Sequence, residues 1–449
     1  MTISATTLMK KNDKPNKFPR RAFVRNVAAL GLIPLTQSTV HAEETNQAIA
    51  PEAAQAWPHQ DDPDYWSFIR QQFCIPPDEA YFNTGTLGAR PHAVLNAVIE
   101  SMRETERTIA EYDYRSEHTE YIVGYRAQEE LRKKAGGLIN ASGGEIALVQ
   151  NATMAINFIA NGLELKPGDE VLLTNQEHPG SEGPWNLRAK RQGIVVRKLP
   201  IPIPTPDPQT VIKIFSDAIG PRTKVIAVHH VISHYGIVMP VQELCALAAK
   251  NGIFSLIDGA QALGQLRVDV KKIGCDAYAA SPHKWLLAPP GTGLLYVREG
   301  REKDIWATLA SAHWDDYAPE SGLYRLMQYG TGNKALQDGL DAAIDFYLRV
   351  GPERIEKRTV ALADQLRKGL QEIKGVTIYS PTHPELAGAI VNYGIAGVTG
   401  WDLQDAMWNR KKYRVRAGGP SVRHSVHYYN SPEEIAGTLE VVRALAPRA

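Results

Sequence analysis

Between residues 146 and 297 the sequence alternates short apolar runs with amphipathic stretches, and does so seven times. The runs fall at 146–150, 170–174, 194–199, 224–229, 254–258, 277–280 and 293–297. Several place Val, Ile, Leu and Ala at successive positions rather than at every second one, as a strand covered on both faces requires. The segments between them carry helical spacing, for example 241–250 after Pro240. Together these dictate an α/β fold with a mostly parallel, seven-stranded sheet and helices on both sides. Proline stands at every second position from 200 to 208, which reads as an extended connection rather than a domain linker. From 334 to 371 the sequence turns helical, and a smaller α/β unit runs from there to the C-terminus.

At 449 residues the chain is longer than one typical core. Its expected divisions are 1–42, an N-terminal segment at 43–95, a large domain at 96–333 and a C-terminal small domain with its preceding long helix at 334–449. Seven of the Lys/Arg residues and a single acid lie within 1–42, leaving 43 basic against 48 acidic residues in the body. That mildly acidic body argues against a nucleic-acid binder. Within 1–42, Arg20 and Arg21 precede an apolar run from Val27 to Leu35, too short for the ~20 residues a membrane span needs. Small residues at 40–42 then offer a cleavage site. The segment resembles a twin-arginine signal peptide, which implies export of a folded protein to the periplasm with no stable membrane anchor. The three cysteines, Cys74, Cys245 and Cys275, are odd in number and form no metal-type cluster. The histidines at 229, 230, 234, 424 and 427 lack the carboxylate spacing of a metal site and read as satisfied or exposed, so no metal is expected.

Ligands of open α/β sheets bind beyond the carboxyl ends of the strands. The run 254–258 ends in Asp258-Gly259-Ala260-Gln261, and a later one leads into Ser281-Pro282-His283-Lys284-Trp285 and a glycine-rich turn. A lysine that forms a Schiff base needs a lowered pKa, supplied by burial or nearby positive charge. Pyridoxal 5'-phosphate (PLP) needs a carboxylate at its ring nitrogen to act as an electron sink. Asp258 and Lys284, each at the end of a strand, supply that pair.

These residues resemble the class V aminotransferase family of fold-type I PLP enzymes, in its isopenicillin N epimerase-like branch. The resemblance runs from about Tyr81 and rests on Tyr81 to Gly85, Asn151 to Asn157, Glu177-His178, Ser233 to Pro240, the Asp258 and Lys284 motifs, Gly330 to Asn333, and Arg423-His424-Ser425. It implies that Lys284 binds the cofactor and moves the α-proton, that Asp258 pairs with the ring nitrogen and that Gln261 hydrogen-bonds the phenolic oxygen. It further implies that Ala152, Thr153, Ser281 and His283 hold the phosphate, with Thr331 reaching it from the other subunit of a homodimer. His178 would stack on the ring, and Arg423, with Asn83 close by, would clamp a substrate carboxylate; Arg416 competes for that role. Cysteine desulfurases of this family use a loop cysteine, and 376–425 contains none. What remains is transamination, epimerisation or lyase-type elimination on an amine-bearing small molecule or peptide. Tailoring of a periplasmic siderophore such as a pyoverdine precursor is one such job; a non-catalytic ligand-binding descendant is the alternative of another class.

Overall fold

The computed structural model describes residues 56–111, 128–318 and 321–447. The paired arginines, the apolar run and the cleavage site lie outside the described residues. The seven expected strands form one sheet: β1 (Ile146–Val149), β2 (Glu170–Thr174), β3 (Val195–Leu199), β4 (Thr223–His229), β5 (Phe254–Asp258), β6 (Ala277–Ala280) and β7 (Gly293–Val297). Their spatial order is β1-β7-β6-β5-β4-β2-β3. Only β7 runs antiparallel to its neighbours, β1 and β6. The remaining pairs are parallel. Val171, Leu172, Leu173, Val225, Ile226, Leu256 and Ile257 are buried in its centre. Each contributes about 1.5–3 kcal/mol by leaving water.

One strand departs from the buried pattern. β3 is an edge strand whose Val195, Val196, Arg197 and Lys198 are exposed or half-exposed. Two neighbours are absent from an edge strand, one on the sheet and one on a face, so its polar residues cost nothing.

Helices α1 (His92–Arg107), α2 (Ala152–Gly162), α3 (Pro179–Gln192), α4 (Pro208–Ala218) and α5 (Val241–Lys250) accompany this sheet. Asn151 starts α2 by accepting the Met154 amide at 2.9 Å, and Asp207 starts α4 by accepting the Thr210 amide at 2.8 Å. Such caps are worth about 1 kcal/mol each. The helical stretch at 334–371 is two helices, α6 (Lys334–Val350) and α7 (Pro352–Gln371). Gly351 separates them with φ +100°, and the missing amide hydrogen of Pro352 suits only the start of a new helix. α6 packs on α1, whereas α7 packs on a second sheet.

That second sheet, β8 (Val376–Ile378), β9 (Ile390–Ile395), β10 (Arg416–Gly418) and β11 (Ser421–Ser425), is antiparallel in the order β10-β11-β9-β8. With α7, α8 (Gly400–Lys411) and α9 (Pro432–Leu445) it encloses a core of Leu362, Leu366, Val391, Met407, Val422 and Val442. The segment at 80–83 is tied to this unit. Ala80–Tyr81 pairs with Tyr413–Arg414, and Asn83 bridges to Ser425.

Candidate active site

The tips of β4 and β5 lie side by side, with His229 in register with Asp258. Asp258 is buried, and its Oδ1 accepts the Ala260 amide at 2.9 Å. Its Oδ2 stands 3.4 Å from His229 Nε2, which is itself 3.3 Å from Glu177 Oε2. Burial alone would push the Asp258 carboxyl up. The His229 ring, the Ala260 amide and Lys284 outweigh it and hold the carboxyl below its ordinary value. A glycine must follow, because a Cβ at Gly259 would lie 2.1 Å from the Tyr278 ring. Beyond β6, Lys284 enters the same cavity. Burial pushes its amine down to about 8; Asp258 opposes this, and Arg423 and Arg416 add to it. An amine so placed is neutral often enough to attack a carbonyl near neutral pH.

The cavity shared by Asp258 and Lys284 has a volume of about 310 Å³ and ends at the N-terminus of α2. Exposed amides and the helix dipole there favour an anion. Thr153, Ser281 and His283 line that end. Ser281 Oγ accepts the Ala152 amide at 3.0 Å, leaving its own hydrogen to donate. His283 Nδ1 is buried without a partner, and burial followed by Lys284 pushes the ring down to about 4. Gly180 makes the room: a Cβ there would stand 2.4 Å from Thr153 Oγ1. A carboxylate at one end, an amine between and anion donors at the other fit a phosphate-bearing ring with a basic nitrogen and a carbonyl.

Two residues steady the middle of the cavity. Gln261 donates through Nε2 to the Gly85 carbonyl at 2.8 Å and accepts from Trp285 Nε1 at 2.7 Å. One amide hydrogen of Gln261 is left for a ligand. His178 caps α3, accepting the Gly180 amide on Nδ1 at 3.0 Å, so its ring is fixed at the rim. Thr331 is exposed and does not line this cavity within one chain.

On the far side of Lys284 a second cavity of about 380 Å³ is lined by Asn83, Thr86, His178, Ser233, Arg416 and Arg423, among others. No Asp or Glu lines it, so its cations face an uncompensated space. Arg423 is buried and braced. It donates to the Ser233 carbonyl at 2.8 Å, to Asn83 Oδ1 at 3.1 Å and to Thr86 Oγ1 at 2.9 Å. Arg416 stands opposite it across β10 and β11 but is exposed. The two arginines therefore differ in setting: the Arg423 guanidinium is buried and held by three acceptors, and the Arg416 side chain is exposed.

The site contains a pair that the motifs did not single out as functional. Glu177 and His229 lie next to Asp258, and His229 lines the cavity with it. His229 reads as an ordinary satisfied histidine along the chain; only the alignment of the ends of β4 and β5 marks it. The thiols contribute nothing here. Cys245 and Cys275 are buried, with burial pushing Cys245 up to about 12 and Cys275 well above its ordinary value. Cys74 is exposed and lines neither cavity.

Comparison with known proteins places this geometry. The family model described as Aminotransferase class-V matches residues 87–444. Isopenicillin N epimerase of Streptomyces clavuligerus is 31% identical over 399 residues, covering 85% of this chain and 98% of that protein. A probable cysteine desulfurase of Methanothermobacter thermautotrophicus is 29% identical over 401 residues, covering 84% and 97%. Among solved structures, a C-DES variant with glycine covalently linked to its PLP cofactor superposes with a TM-score of 0.74 at 23% identity, over 83% of this chain and 98% of that one.

Proposed function

The chain belongs to the class V aminotransferase family, and from that premise we propose that it is a PLP-dependent enzyme acting on the α-amino group of an amino acid, free or peptide-linked. One observation carries the reading: Asp258 and a desolvated Lys284 face one cavity whose opposite end is the N-terminus of α2. When bound, PLP supplies an electron sink for bonds at the substrate's α-carbon. The protein's part is to hold and to move protons. Asp258 holds the ring nitrogen, and Thr153, Ser281, His283 and the Ala152 amide hold the phosphate. Gln261 orients the phenolic oxygen and His178 covers the ring face. Lys284 would carry the cofactor through its amine, and that amine would hold and move the proton at the substrate's α-carbon. Arg423, with Asn83 beside it, binds the substrate carboxylate. Thr331 completes the phosphate site of a second copy in an isologous homodimer.

Transamination and epimerisation share these steps. The likeness to isopenicillin N epimerases, at 31% and 30% identity, favours epimerisation as the second reading. The absence of a reactive thiol from either cavity speaks against a thiolate relay. Borohydride treatment of the yellow protein should fix the cofactor on the peptide containing Lys284; an adduct elsewhere, or none, refutes the reading. Incubation with amino donors, including a peptide siderophore, then separates the two chemistries. Loss of the amino group marks transamination, and deuterium at the α-carbon with inverted configuration marks epimerisation.

The paired arginines at 20 and 21 support export of the folded, loaded protein to the periplasm through the twin-arginine translocase. Replacing both by lysine keeps the charge and should strand active protein in the cytoplasm. Normal export of that variant refutes the localisation.

A further inference from the structure

At the wall of the cavity that Asp258 and His229 both line, three ionisable side chains meet almost wholly buried. His229 Nε2 lies 3.4 Å from Asp258 Oδ2 and 3.3 Å from Glu177 Oε2, and the side chains of His229, Glu177 and Asp258 are respectively 3%, 0% and 6% exposed. The Glu177 carboxylate is anchored from the other side, where its Oε1 accepts the Thr174 hydroxyl at 2.7 Å and the Thr174 amide at 3.3 Å. Its Oε2 has no hydrogen-bond partner, nor has His229 Nδ1. The backbone amide of His178 also points at Nε2, at 3.2 Å. Two carboxylates this close and this dry cannot both be ionised beside a neutral ring. The cluster must hold a proton.

We propose that Glu177 and His229 together store one proton beside Asp258 and so act as positioning residues that keep Asp258 ionised for the cofactor's ring nitrogen. The inference rests on the PLP reading above and names two residues that reading does not use. It follows from the sheet: parallel pairing sets His229 beside Asp258, and the turn after β2 brings Glu177 to the same nitrogen. The other groups facing the cluster are Lys284 and His178 from the cavity side and Tyr278, whose hydroxyl is bonded to His230 Nδ1 at 2.9 Å. None of them is a third carboxylate. Burial favours the uncharged form of each member, yet Glu177 and Asp258 hold the His229 proton more tightly than an exposed ring would. Burial in turn pushes Glu177 up and so disfavours a bare carboxylate there. A histidine raised in this way keeps its proton past its ordinary ~6.5 and releases it only as the pH climbs through the raised value.

The test uses two variants and two readouts. Glu177→Gln preserves shape and removes the acid; His229→Asn keeps a donor for Asp258 and removes the ring. In histidine-labelled protein stripped of cofactor, the wild-type ring resonances at position 229 should titrate above the ordinary ~6.5 of an exposed histidine. Glu177→Gln should shift that midpoint down toward the ordinary value. Both variants should bind PLP roughly tenfold more weakly, and the pH midpoint of the absorbance change at the lysine–cofactor linkage should rise, because a ring nitrogen that holds its proton less firmly withdraws less charge from that linkage. Thermal unfolding should move little for Glu177→Gln, which separates positioning from a folding defect. A wild-type His229 that titrates near ~6.5, or a Glu177→Gln protein with unaltered titration and unaltered PLP affinity, overturns the proposal. If borohydride still marks Lys284 in either case, the PLP reading stands and only the stored proton falls.

Discussion

Lys284 stands between two chambers built on opposite plans. Toward α2, the residues proper to the chamber come from the ends of one sheet: Asp258 closes β5, Ser281 and His283 follow β6, and Thr153 follows β1, while Thr86, His178, Ser233, Gln261 and Lys284 line both chambers. It contains one acid, one amine and neutral anion donors, so both signs of charge are represented in it. Toward Arg423, the chamber is assembled from segments near 83, 178, 233, 261 and 416–423, and its charges are all positive. The first chamber is fixed by strand register and can hold one cofactor in one orientation. The second alone takes Arg416 and Arg423 from a distant antiparallel sheet and Asn83 from the segment paired with it, and the reading proposed above gives it the substrate.

The sharpest way to break this division is Lys284→Ala. Turnover should fall below detection and no borohydride adduct should form, while thermal unfolding stays near wild type, since the side chain supplies charge rather than packing. With wild-type protein stripped of cofactor, the rate of PLP attachment should climb with pH and level off above about 8, as the depressed amine loses its proton. A rate still climbing above pH ~10 would place Lys284 at its ordinary value and contradict the geometry. Next in size comes Asp258→Asn, expected to cost roughly a hundredfold to a thousandfold in kcat, the scale on which one preorganised electrostatic partner acts. Its effect on KM for the amine should be small, because Asp258 belongs to the first chamber.

The second chamber should behave in the converse way. Arg423→Lys loses a braced bidentate donor and should raise KM roughly tenfold to a hundredfold, from charged hydrogen bonds worth about 1.5–3 kcal/mol. Arg416→Ala, at an exposed position, should raise it no more than about fivefold. Equal penalties for the two would erase the contrast between buried and exposed guanidinium. The smallest effect should come from Cys74→Ser, with turnover within about twofold of wild type and native thiol labelling confined to Cys74 in the parent. A large loss would restore a thiol to the chemistry.

The same contrast explains what could be read along the chain. Consecutive apolar residues mark β1, β2 and β4 to β7 because burial on two faces leaves a local imprint, and the polar residue that ends such a run is automatically at the ligand-binding edge. That is why Asp258 and Lys284 are legible. His229 ends its run in the same manner, yet its role depends on sitting beside Asp258 and before Glu177, a register that no single segment encodes. Arg416 and Arg423 are seven residues apart with similar surroundings in the sequence. Only the hairpin of β10 and β11, and the bracing of one by Ser233, Asn83 and Thr86, separates them. The helical text of 334–371 hid its division because α6 and α7 have continuous amphipathic spacing on either side of Gly351, while they pack on different partners.

The polar outer strand β3 bears on how molecules of this protein can meet. A bare sheet edge is a template on which another chain can add its own strand. Here Arg197 and Lys198 are engaged with Glu170 and Glu182 along that edge. A docking strand would have to displace these ion pairs and leave charges stranded in the new seam. Growth of the sheet from molecule to molecule, the route to a fibre, is thereby discouraged at this margin.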